Sequence, residues 1–206
     1  MAATTNPRKL SLSDIADLRE YERDRLEYRE KIIALKARRR VSVGPIVTLV
    51  FENRDTMKFQ IQEMARVERL MTDEAIQGEL DVYNPLIPDP GHLQATLMLE
   101  LTTKEELMEW LPKLVGIERA VKVRIGVEDG DQTDVASIPE TSHEAQLTRE
   151  ETTASVHYVG FEFTPEQVER FGKEPVSLVI EHEHYNHATP LSADTIQEML
   201  SDLKDD

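Results

Sequence analysis

The sequence predicts an α+β fold: a mixed, largely antiparallel sheet of about five or six strands, with two long N-terminal helices and shorter flanking helices. Three observations predict it. A stretch from Ser13 to Arg40 holds no glycine or proline and carries apolar residues at helical spacing. Two later stretches share one grammar, in which a strand runs into a capping residue, a short helix follows, and a second strand closes the unit. The chain has 206 residues, 39% of them hydrophobic, enough for a single domain over residues 11–206 behind a flexible tail at 1–10.

In the first helix, Leu18, Tyr21, Arg25, Tyr28, Ile32 and Leu35 recur three and four apart and form one stripe. Arg25 is the one charge in that seam, so it is expected to be partly buried and paired with a carboxylate. Ser11 and Ser13 can start the helix, and the cations from Lys36 to Arg40 suit the negative end of its dipole. Val41 to Phe51 reads as a strand broken near Gly44 and Pro45. Arg54 to Met71 returns to helical period through Met57, Ile61, Met64, Val67 and Met71, with Asn53 or Asp55 as cap. The methionines, Met98 and Met108 included, follow the apolar pattern and are expected in the core. Three prolines between Asn84 and Gly91 then impose a loop.

The first strand–helix–strand unit runs through Leu93–Leu101, a capping box of Thr103 with Glu106, and Ala120–Val127. The second runs through Val156–Phe163, Thr164 with Pro165 and Gln167, and Val176–Ile180. Between them Asp129 and Gly130 read as a hairpin tip, and Glu140 to Thr153 as a polar surface excursion. A last helix runs from Ser192 towards Leu203.

Composition narrows function by exclusion. Forty acidic against 24 basic side chains give a formal charge of −16, which repels nucleic acid and anionic membranes. No apolar run approaches the roughly 20 residues of a membrane span, and the opening segment lacks the apolar core of a secretory signal, so a cytoplasmic address is expected. With no cysteine, the chain has no thiolate nucleophile, cysteine zinc site or self-held iron–sulfur cluster. Phosphate-binding glycine loops, nucleophile elbows and dinucleotide fingerprints are missing as well, and no cofactor is expected.

The blocks RRRVSVGP (Arg38 to Pro45), FENRDT (Phe51 to Thr56), FQIQEMARVERL (Phe59 to Leu70), ELDVYNPLIPD (Glu79 to Asp89) and VHYVGFEFTPEQ (Val156 to Gln167) together resemble a bacterial family, domain of unknown function number thirty-five hundred and one. The resemblance covers about Leu10 to Leu200. It implies no activity. Genes for similar proteins often lie beside those for a rubrerythrin-type protein and an iron–sulfur oxidoreductase, which implies a shared redox pathway with one of these as partner. Where relatives tend to read D-H-P-x-Y, this chain has Glu181, His182, Glu183, His184 and Tyr185, so His182 and Tyr185 match and the proline does not.

Two constellations remain as candidate sites. In the segment Glu181 to His187, His182 and His184 would point to the same side of an extended strand, as a metal pair requires, with His157, His187 or a carboxylate as third ligand. The reading preferred over metal is a polar pocket in which His182 joins Tyr185 and His157. The second constellation is Glu63 with Arg66, on a helix whose entry is crowded by Glu52, Asn53, Arg54 and Asp55, where the pair could line a pocket for a small anion or a partner loop. The leading expectation is a non-catalytic accessory protein for the redox partner. The alternative is a small-molecule or metal-dependent enzyme using His157, His182, His184 or Glu63.

Overall fold

The computed structural model of the chain describes residues 6–127, 130–140 and 152–204. Asp17, not Ser11 or Ser13, starts the first helix, α1 (Leu18–Arg39): its carboxylate accepts from the N–H groups of Arg19 and Glu20, both at 2.9 Å. Ser11 instead opens a 3-10 turn over Leu12–Asp14. The tail expected over residues 1–10 is held against the domain from Asn6 onward. Leu10 is buried, the Asn84 side chain exchanges two hydrogen bonds with its backbone, and Arg8 donates to the Asp202 carbonyl.

The chain leaves α1 into the hairpin β1 (Arg40–Val43) and β2 (Val47–Glu52). Gly44 makes the turn with φ +71°, and a Cβ there would collide with the Tyr185 hydroxyl, so the position needs glycine twice over. Asn53 caps α2 (Arg54–Glu68), and Arg54 pairs with Asp14 at 2.5 Å. Only α1, with 22 residues, is a long helix; α2 has 15 and stops short of Met71, because Arg69 turns left-handed at φ 56° and Thr72 caps a separate helix, α3 (Asp73–Tyr83). Met71 is therefore 82% exposed rather than core, and Met108 is exposed as well.

The remaining elements are β3 (His92–Leu99), α4 (Lys104–Lys113), β4 (Val121–Ile125), β5 (Thr133–Ala136), β6 (Ile138–Pro139), β7 (Val156–Glu162), α5 (Pro165–Phe171), β8 (Val176–His182), β9 (Tyr185–Pro190) and α6 (Ala193–Leu203). Thr103 and Thr164 cap α4 and α5 as expected, and β4 and β5 form a hairpin; Asp129, placed at its tip, lies outside the described residues. So does most of the surface excursion expected over Glu140 to Thr153.

Instead of one mixed sheet there are two, both wholly antiparallel among the described residues. One has the order β1-β2-β3-β7-β6 and the other β5-β4-β8-β9. The reason lies in the two strand–helix–strand units. Each crosses from the first sheet to the second, β3 to β4 through α4 and β7 to β8 through α5, so neither returns to lie parallel in its own sheet. The inner faces pack together through Leu49, Phe51, Leu97, Val123, Phe161 and Leu178, all fully buried. Each such side chain contributes roughly 1.5–3 kcal/mol relative to exposure. At one edge the chain passes from β5 to β6 through Ser137, whose hydroxyl donates to the Glu118 carbonyl. At the other, the hydroxyls of Tyr185 and Thr189 on β9 donate to the Val43 and Ser42 carbonyls of β1.

The two outer faces differ. On the four-stranded sheet, Lys122, Arg124, Asp134 and Glu181 form an ion ladder facing water. The five-stranded sheet is covered by α1 and α2, which is why every residue of β2 is buried although only alternate ones reach the inter-sheet core.

Candidate functional site

Strand register assembles the floor of a groove on that covered face. Arg40, Val50, Thr96 and Tyr158 are consecutive partners across β1, β2, β3 and β7 and so stand in one row on one side of the sheet. Glu52 and Met98 flank the row, two residues along their own strands. Above it, α1 turns Arg29, Ile32, Ile33, Lys36 and Ala37 towards the sheet at helical spacing. From α2 come Met57, Phe59 and Gln60, and Tyr83 closes the far end of α3. The space enclosed is about 560 Å³, the size of a drug-like molecule.

Its walls are apolar and its base is charged. Glu52 is 4% exposed, and its Oε1 accepts the Thr96 hydroxyl at 2.7 Å. The other carboxylate oxygen, Oε2, is buried without a hydrogen-bond partner; the Lys36 ammonium stands 4.0 Å away, an ion pair but not a hydrogen bond. A buried acceptor left in that condition costs about 1–3 kcal/mol. Burial pushes the Tyr83 and Tyr158 hydroxyls above their ordinary pKa, so both stay neutral, and Gln60 bonds that of Tyr83. Arg29 and Arg40 stand exposed at the mouth, Arg40 paired with Glu100 at 3.3 Å and Arg29 without an ion pair among the described residues. The lining has one carboxylate, no histidine or serine, and Thr96 as its one threonine.

None of the candidate site residues Glu63, Arg66, His157, His182, His184 and Tyr185 lines this groove. Glu63 and Arg66 belong to the α1–α2 contact. Arg25 grips Glu63 with two hydrogen bonds, at 2.7 and 2.8 Å, the Tyr21 hydroxyl donates to Glu63 Oε1 at 2.8 Å, and Arg66 lies 3.4 Å from the same carboxylate. The Arg25 hydrogen bonds, working against desolvation, hold Glu63 at a pKa of about 2. Arg25 is thus partly buried and paired as the stripe predicted, and both oxygens of its partner are engaged.

His182, Tyr185 and His157 have separate roles. His182 and Tyr185 are partners across a two-residue hairpin turn at Glu183 and His184, so His184 sits in the turn and not two residues along an extended strand. His182 Nε2 donates to the Val115 carbonyl at 3.0 Å and Nδ1 accepts the His184 backbone N–H at 3.2 Å, which occupies both ring nitrogens. Among the described residues no group of three metal-ligating side chains forms. Tyr185 is spent on structure: besides donating to Val43, its oxygen accepts the N–H groups of Ile46 and Val47 at 3.2 and 3.3 Å. His157 is buried beside Thr153 and Glu118, in the order of a nucleophile, base and acid. The chemistry does not follow. The Ala154 carbonyl, 2.9 Å from Nε2, requires a proton there, whereas a base facing Thr153 needs a lone pair, and Glu118 is 4.0 Å from Nδ1.

Sequence reasoning passed over Glu52 as one of several polar groups at a helix entry. A signal was present: Glu52 ends the apolar run VTLVFE at the parity of Val50, not of Leu49 and Phe51, on the face the helices cover. It also passed over Arg39, taken as a dipole cation. Arg39 is wholly buried, donates to the Phe51 carbonyl at 2.9 Å and pairs with Glu198 and Asp202 of α6.

Fold and groove together define a two-sheet α+β protein with a ligand-sized cleft between its helical layer and one sheet. A family model described as "protein of unknown function (DUF3501)" matches residues 9–203, and the chain belongs to that family. A crystal structure of a novel protein of unknown function from Burkholderia pseudomallei K96243 is similar to it, with 32% identity and a TM-score of 0.85, over 95% of this chain and 100% of that one. No curated protein matches the chain significantly. Among the described residues no helix is long and apolar enough to cross a membrane.

Proposed function

We propose that this chain is a non-catalytic binding protein that seats a small organic molecule in the groove between α1, α2 and the five-stranded sheet. The observation that carries the reading is the buried Glu52 carboxylate, with one oxygen unpartnered at the base of a cavity of about 560 Å³ walled mainly by apolar and aromatic side chains. A few placed polar groups in an apolar cleft recognise ligands, and the absence of a nucleophile–base pair in the lining favours binding over turnover. An accessory role in a redox pathway is compatible with such a domain. The iron–sulfur or rubrerythrin-type partner rests on the family resemblance alone, and co-purification from a native host tests it.

The groove is tested with 1-anilinonaphthalene-8-sulfonate, whose fluorescence rises in apolar sites. One saturable site is expected on the folded protein, and Ala37→Trp, which fills the exposed side of the groove without touching the inter-sheet core, abolishes it. No saturable binding, or equal binding by the variant, overturns the reading.

A further inference from the structure

Resting on the groove assigned above, the geometry points to its ligand class: a small amphipathic acid with a neutral hydrogen-bond donor at its inner end, an apolar body, and an anionic group at the mouth. The inner end is set by Glu52. Its Oε1 is taken by Thr96, its Oε2 is buried without a hydrogen-bond partner on a side chain that lines the groove, and a carboxylate accepts only from N–H or O–H. Lys36, 4.0 Å away, already balances the charge. A ligand cation would put a second positive charge beside that ammonium in a site water barely enters, while a hydroxyl adds none. The donor is therefore neutral.

Ile32, Val50, Met57, Phe59 and Met98 line the middle of the groove and offer no hydrogen-bonding side-chain groups beyond weak sulfur, so the body of the ligand is apolar, and an aromatic ring suits Phe59 and the methionines. The mouth is cationic in a protein whose formal charge is −16: Arg29 and Arg40 face solvent there, with Arg29 making no ion pair among the described residues. That local reversal of sign selects an anionic outer end and repels an amine.

Three probes of one shape separate the parts: 4-hydroxyphenylacetate has donor, ring and anion, phenylacetate lacks the donor, and tyramine replaces the anion with a cation. Calorimetric titration of the wild-type protein is expected to show 4-hydroxyphenylacetate binding about tenfold tighter than phenylacetate, the worth of one hydrogen bond to a charged acceptor, and also tighter than tyramine. Glu52→Gln should cut the hydroxyl preference to about threefold or less, since a neutral amide is the weaker acceptor. Arg29→Ala should remove the preference for acid over amine while leaving the hydroxyl preference unchanged. Equal wild-type affinity for the two acids, or an unchanged hydroxyl preference in Glu52→Gln, overturns the donor assignment, and tyramine binding as tightly as 4-hydroxyphenylacetate overturns the anionic end. The wild-type series needs no variant to fold. If phenylacetate binds without any of this discrimination, the ligand class falls and the groove stands; if neither these probes nor anilinonaphthalene sulfonate binds, both fall.

Discussion

Replacing Glu63 with glutamine keeps the shape at the α1–α2 contact and removes one charge. In the folded protein the Arg25 hydrogen bonds and the Tyr21 hydroxyl hold this carboxyl at about 2, against an ordinary 4.5. Taken whole, that displacement is worth about 3 kcal/mol, at 1.36 kcal/mol per pKa unit. The side chain is 21% exposed, so water screens part of the interaction, and the expected loss at neutral pH is about 1–2 kcal/mol. A folded pKa below the unfolded one gives stability that is complete above about 4.5 and drains away as pH falls towards about 2. Urea denaturation of wild type and Glu63→Gln from pH 7 to pH 2 should therefore give curves separated by about 1–2 kcal/mol at neutral pH that converge in acid. The difference curve isolates Glu63 from the other acids with lowered pKa, such as Asp134 and Glu174. Parallel curves over the whole range, or coincident curves at pH 7, would refute the reasoning.

Four further outcomes follow from the geometry. Arg39→Ala leaves the buried Asp202 without the guanidinium bonded to it, while Arg38 still holds Glu198, and should cost about 3–5 kcal/mol in chemical denaturation; Arg39→Met, which restores bulk but no charge, recovers little of it. Asp202 runs opposite to Glu63: burial, only partly offset by Arg39 and Arg8, raises its pKa to about 6, so its contribution is complete below 3.8 and is lost as pH rises through about 6, and Asp202→Asn should flatten that part of the stability profile. Tyr185→Phe strands the Val43 carbonyl and two N–H groups at the β1–β2 turn and should lower stability by about 1–3 kcal/mol, seen as a fall in Tm of roughly 2–4 °C per kcal/mol. Titration with zinc should show no saturable site in the micromolar range or tighter, because both nitrogens of His182 are already bonded; one-to-one binding lost in both His182→Ala and His184→Ala would reverse that assignment.

Local features were legible in the chain and global ones were not. Capping residues Asn53, Thr103, Thr164 and Ser192 mark true helix starts, because a cap is satisfied within three residues of itself. The stripe through Arg25 told of a partly buried pair, since a charge inside an apolar seam needs a partner. The division into two sheets was hidden, because a strand–helix–strand unit reads the same whether it returns to its own sheet or crosses to another. His182 and His184 misled for a related reason: the two-residue turn of Glu183 and His184, between His182 and Tyr185, has no glycine or asparagine to announce it. The groove was hidden most of all, since its lining runs from Arg29 to Tyr158 and meets only through strand register and the packing of helices over the sheet.

That the cavity opens under α1 follows from how this helix is fastened. A helix of 22 residues is roughly 33 Å long, and strands in a sheet twist by roughly 20° from one to the next, so a helix laid over five strands does not follow the sheet along its whole length. The helix is pinned near its start, where Tyr21 and Arg25 reach Glu63 of α2, and at its end, where Arg38 and Arg39 reach Glu198 and Asp202 of α6. Between these points Arg29 to Lys36 spans the floor of Val50, Thr96 and Tyr158 without filling the space beneath. Elsewhere the inter-sheet layer is closed by aliphatic and aromatic side chains and the four-stranded sheet by its ion ladder. The gap under the middle of α1 is the cavity of about 560 Å³, and Glu52 sits at its base.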